Sequence, residues 1–140
     1  MTMFKSTGKL IYDPIRYGYK KNKNWRCILT VDNDLTRYYR WVIKKEFGFI
    51  LYEPSWKSHI TIINGEKPLY EKLWKKHNNR KIDFVYDINI RWSGDTTDHK
   101  YIFKYWFLDV YCAEFNSLRQ ELGLSEKSKY HITIGTLYNK

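Results

Sequence analysis

At 140 residues the chain has the length of one compact domain that buries a single core. A hydrophobic content of 43% with 19% aromatics excludes a disordered polymer, and no run of about 18 apolar residues is present to span a membrane. Lysines and arginines number 25 against 15 acidic residues, so the net charge is +10. That balance favours a polyanionic partner such as a nucleic acid or nucleotide, although a merely basic surface carries the same charge. The many tryptophans and tyrosines add rings on which bases stack.

The start, Met1-Thr2-Met3-Phe4-Lys5-Ser6, lacks the apolar stretch of a signal peptide. Cys27 and Cys112 lie in apolar contexts and read as reduced core residues of a cytoplasmic protein. No Cys-x-x-Cys, His-Glu-x-x-His or carboxylate cluster suggests a metal site or other cofactor, and no obligate protein partner is evident.

In chain order, residues 4–19 read as extended pieces broken at Gly8 and Asp13-Pro14, with residues 1–20 a candidate arm or lid. This arm carries Tyr12 and Arg16, groups suited to touching a nucleotide. Residues 20–24 form a basic turn. Trp25 to Val31 predicts an interior strand. Asp32-Asn33-Asp34 supplies capping chemistry for a helix whose apolar stripe is Leu35, Tyr38, Tyr39, Val42, Ile43 and Phe47, stopped by Gly48. A short strand at 49–52 ends before Pro54.

The sequence His59-Ile60-Thr61-Ile62 then predicts a strand with one face buried. Asn64-Gly65 is a turn, and Pro68 opens an expected short helix reaching His77. Residues 81–91 alternate as a strand, with Ile82, Phe84, Tyr86, Ile88 and Ile90 on one face. A polar loop from Ser93 leads to a return strand over 101–110. A second amphipathic helix carries Tyr111, Phe115, Leu118 and Leu122, and ends at Gly123. The connector 125–128 enters His131-Ile132-Thr133-Ile134, a second copy of the first motif.

Residues i and i+2 of a strand share a face. The isoleucines of each copy therefore enter a core, while His59 with Thr61, and His131 with Thr133, share the opposite face. Lys57 and Lys129 each precede a histidine by two, which extends each row to Lys-x-His-x-Thr. One His-x-Thr strand is ordinarily a half-exposed edge. Two identical copies, each closing a strand–helix–strand unit, look like an internal duplication.

The chemistry is coherent. In-line cleavage of a phosphodiester by a neighbouring 2′-OH needs a base on one side and an acid on the other. Imidazole serves both roles, with an ordinary pKa of about 6.5. Threonine hydroxyls would bond the non-bridging oxygens as charge develops, and lysines would add positive potential.

These paired motifs in a small α+β domain resemble the two-histidine (2H) phosphoesterase superfamily, and the resemblance covers the whole chain, 1–140, as one domain. The opening Phe-Lys-Ser-Thr-Gly-Lys-Leu-Ile-Tyr-Asp-Pro and the C-terminal second motif look most like the phage anti-CBASS protein 1 family. The resemblance implies a bilobal fold: two pseudo-symmetric antiparallel sheets form a central cleft, with helices packed outside. It implies metal-independent cleavage of 3′–5′ linkages in cyclic di- and trinucleotide immune messengers, in the cytoplasm of an infected bacterium. It makes His59 and His131 the acid–base pair and Thr61 and Thr133 the phosphate ligands. Which histidine is the base stays open at this stage. Base platforms are sought in Tyr12 and Trp92, then Trp56; His77 and His99 are left as surface residues. The same four residues would equally serve RNA end processing on 2′,3′-cyclic ends. A non-catalytic RNA-binding module is the remaining alternative, though a binder has no need of both histidines and both threonines.

Overall fold

The computed structural model describes residues 2–15, 24–54, 56–94 and 102–138. Its strands are β1 (Met3–Tyr12), β2 (Arg26–Thr30), β3 (His59–Asn64), β4 (Lys81–Asp87), β5 (Arg91–Gly94), β6 (Ile102–Tyr111) and β7 (Tyr130–Tyr138). Helix α1 (Asn33–Phe47) lies between β2 and β3, and α2 (Ala113–Glu121) between β6 and β7. The class is α+β. Neither helix is long and apolar enough to cross a membrane.

All strands belong to one antiparallel sheet, in the order β4-β1-β2-β3-β7-β6-β5. A further pairing of β4 with β6 closes it into a barrel, with β5 carried on β6. The expected pair of separate sheets is therefore replaced by a single closed one. Its continuity is uneven, however. Neighbours within β4-β1-β2-β3 and within β7-β6-β5 pair along much of their length. The two blocks join at narrow seams, Ile60 opposite Ile132 on one side and Val85–Tyr86 opposite Tyr111–Val110 on the other.

The register accounts for the core. Leu10 opposes Leu29, Leu29 opposes Ile60, Ile60 opposes Ile132 and Ile132 opposes Leu108, and all five are fully buried on one face. Ile62 and Ile134 are fully buried too, as the alternation of the motifs predicts. At about 1.5–3 kcal/mol for each fully buried isoleucine, the four hold both motif strands against rotation about their axes. A one-residue slip would turn each histidine inward.

Helix α1 matches its sequence signals. The Asp32 side chain accepts from the Asp34 N–H, and Gly48 closes the helix at φ 77° with its N–H on Lys44 O. Elsewhere the tertiary structure overrides local signals. Residues 3–12 form one uninterrupted strand between β4 and β2, so that part of the expected arm is interior sheet. Gly8 sits within it because a Cβ there would lie 1.9 Å from Thr30 O. The expected strand at 49–52 is reduced to a bridge, Tyr52 opposite Thr136. The expected helix after Pro68 is a single 3₁₀ turn at Glu71–Leu73. The long strand at 81–91 breaks after Asp87, whose carboxylate takes the Asn89 N–H at 2.9 Å.

Candidate active site

The closed sheet brings the two motifs side by side. With Ile60 opposite Ile132 in antiparallel register, His59 and Thr61 flank the seam on β3 while His131 and Thr133 flank it on β7. The rows run in opposite directions, so each histidine lies across the seam from the other strand's threonine. Neighbouring strands extend the same face: Thr30 opposes His59, Ile28 opposes Thr61, Asp109 opposes His131 and Phe107 opposes Thr133.

The histidines are held differently. His59 Nδ1 lies 2.9 Å from Lys57 O. A carbonyl accepts only, so Nδ1 carries the proton and donates, which leaves the Nε2 lone pair of the neutral ring uncommitted. Trp56 packs against His59 in a T-shaped arrangement at 5.4 Å between centroids, and Phe107 packs likewise against His131 at 5.5 Å. Burial lowers the His59 pKa, with the Lys57 carbonyl opposing. Burial also lowers His131, reinforced by Lys127 and His59 and opposed by Asp109. His131 is the more exposed, so water screens these charges more there. Both shifts favour the neutral ring over the imidazolium. Thr61 and Thr133 are half-buried, and neither hydroxyl is bonded to another group among the described residues.

The lysine expectation is corrected for Lys57. Lys57 lies before β3 in a bend at φ 59°, and Lys129 just before β7. Both are exposed at strand entries; the turn takes Lys57 out of its row, whereas Lys129 lines a cavity of about 190 Å³ with Arg91, Tyr111 and Asp109, the residue opposite His131. The lysine that reaches the seam is Lys127, whose Nζ donates to Thr61 O at 3.3 Å and lies 4.9 Å over the Tyr130 ring. Burial lowers its pKa. It sits in a connector whose polar composition carried no signal of this contact.

Of the expected base platforms, only Trp56 joins the histidines. Tyr12 is 6% exposed, packed edge-on against Trp74 at 4.9 Å and raised in pKa by burial, so it is core. Its strand partner Cys27 is also core, its thiol pushed up to about 12 by burial. Trp92 is exposed but opposes Trp106, one residue out of phase with Phe107, and so projects from the other face; Lys104 Nζ lies 4.1 Å over its ring. Arg16 and His99 lie outside the described residues. His77 is half-buried, with Nε2 3.2 Å from the Glu121 carboxylate, and is not a free surface group.

Two arginines that the motif gave no hint of steady the seam. Arg40 on α1 donates to Ile134 O at 2.9 Å, and Arg119 on α2 donates to Ile62 O at 2.9 Å. Each helix thus holds the last isoleucine carbonyl of the other unit's motif. Arg119 is 1% exposed, bonds Ser125 O at 2.7 Å and pairs with both carboxylate oxygens of Glu66. Arg40 also bonds Thr36 and pairs with Glu53 at 3.4 Å. No protein-family model, curated protein or solved structure matches the chain.

Proposed function

We propose that the protein is a metal-independent phosphodiesterase of the 2H type, cleaving 3′–5′ linkages in cyclic di- and trinucleotides. The observation that carries this reading is the meeting of two His-x-Thr rows at one seam, with threonine hydroxyls unbonded among the described residues and one imidazole nitrogen held ready to accept a proton. The two sheet blocks with their narrow seams, and the crossed arginine contacts, support a two-lobed arrangement descended from a duplicated unit.

In this reading His59 is the base. Its Nδ1–H is committed to Lys57 O, so Nε2 takes the proton from the substrate 2′-OH. The 2′ oxygen forms a bond to phosphorus as the bond to the 5′ oxygen breaks. His131, protonated once the anionic substrate offsets its depressed pKa, donates to that leaving oxygen. The products are a free 5′-OH and a 2′,3′-cyclic phosphate, which water can open. Thr61 and Thr133 donate to the non-bridging oxygens. By its resemblance, the substrate is an immune messenger of an infected bacterium, and the cleavage serves phage evasion of that immunity.

The test is an HPLC panel in EDTA of cyclic dinucleotides, cyclic trinucleotides and RNA bearing 2′,3′-cyclic ends. Linear products from the cyclic oligonucleotides support the reading. Turnover of RNA ends alone transfers it to RNA end processing. Binding without turnover of any of them reduces the protein to a binding module.

A further inference from the structure

The catalytic face continues onto β2, and its last member there is Arg26. Thr30 and Ile28 oppose His59 and Thr61, and Arg26 lies two residues beyond Ile28 in the same row. Its guanidinium carbon stands 5.3 Å over the Trp56 ring, which packs against His59. The cation thus lies within cation–π reach of Trp56, one ring away from His59.

Its surroundings differ from those of every other described arginine. Arg37, Arg40, Arg80, Arg91 and Arg119 each hold a carboxylate. Among the described residues Arg26 pairs with no carboxylate, its Nε is buried without a hydrogen-bond partner, and its terminal nitrogens make no hydrogen bond either. At the other end of the face, Arg91 is spent on Asp109 at 3.2 Å. The Nε is closed to solvent, so the groups open to a ligand are the two terminal nitrogens, whose unspent donors would be met by an anion. A planar fork of donors matches two oxygens of a phosphate.

We infer that Arg26, held on Trp56, is a second phosphate subsite, which takes the phosphate next to the scissile one and so selects ligands with two phosphodiesters. The inference rests on the catalytic reading of His59 and His131, and its test separates the two. Calorimetric titrations use the His59→Ala/His131→Ala protein, with Arg26 intact or changed to Met or Lys. The ligands are 3′,3′-linked cyclic GMP–AMP, with two phosphates, and adenosine 2′,3′-cyclic monophosphate, with one.

Arg26→Met should weaken the two-phosphate ligand by about 10- to 100-fold, the scale of a lost charge-assisted hydrogen bond. The one-phosphate ligand should change by less than about threefold, and the salt dependence of cyclic GMP–AMP binding should become shallower. Arg26→Lys, which keeps the charge and loses the fork, should fall between. Equal weakening of both ligands overturns the subsite, as does no weakening of either or no binding with Arg26 intact. Thermal melts matching the Arg26 protein exclude misfolding, and if the Met variant melts early, Lys against Arg decides on the same criteria. If the wild-type chain binds cyclic GMP–AMP through Arg26 yet turns nothing over, the subsite stands and the catalytic reading falls.

Discussion

The two motif strands share four residues of sequence and a common architecture, and they differ in how each histidine is supported. On β3, the His59 ring is held by its own turn: Lys57 O fixes the tautomer and Trp56 packs against the ring. On β7, no such bond holds His131 among the described residues; it is instead set among charges, with Asp109 opposite and Lys127 reaching across to β3. The arginine contacts repeat the pattern of likeness and difference. Arg40 and Arg119 make the same bond to equivalent carbonyls, yet Arg119 is fully buried with a two-pronged partner and Arg40 is not. A repeated strand supplies matched chemical groups, while unequal surroundings give them unequal tasks.

Removing the histidines strikes both halves at once. His59→Ala and His131→Ala should each lower kcat about 10²–10⁴-fold, and the double variant should lose far less than the product of the two, since the pair acts as a unit. Full activity of the double variant in the HPLC assay would sink the site.

The arginines probe the asymmetry of support. Arg119→Met strands the Ile62 and Ser125 carbonyls, while Glu66, 38% exposed, is partly screened by water, and should cost about 2–4 kcal/mol, read from urea melts by tryptophan fluorescence. Arg40→Met should cost less than half of that, because Glu53 is exposed and water can take over its charge. Equal losses would mean that the two clamps are equivalent and that burial does not separate them.

Thr61→Val and Thr133→Val test whether the two strands share the phosphate evenly. Each should lower kcat by about 10²-fold, with near-native melting, if its hydroxyl bonds the transition state. A loss confined to one variant would assign the charge to one half alone.

The smallest effects are those of pH. Both imidazoles lie below the ordinary value, so the kcat/KM bell should centre on the acid side of about pH 6.5, and the kcat bell should move upward once phosphate is bound. A flat profile between about pH 5 and 8 would argue against paired imidazoles. For stability, histidines with depressed folded pKa values bind fewer protons folded than unfolded. Their contribution is therefore complete above about pH 6.5 and is lost as pH falls through the folded values. Urea midpoints should drop across that window, and the double alanine variant should drop less.

The repeated His-Ile-Thr-Ile strands, the buried isoleucines, the capped helix α1 and the α+β class were all legible in the sequence. Each is set by periodicity or by contacts within a few residues. Legibility ended where a residue's role depended on its distant neighbours. Tyr12 looked like part of an arm and is core because β4 and β2 enclose its strand. Trp92 looked like a base platform and faces away because its register with Trp106 turns it. Arg26, Lys127, Arg40 and Arg119 carry no local signal of their roles, and only closure of the sheet shows which of them meets a carboxylate, a carbonyl or an aromatic ring. Alternation along a strand fixes which side a group faces. What it faces is decided by segments many tens of residues away, whose pairing leaves no local trace.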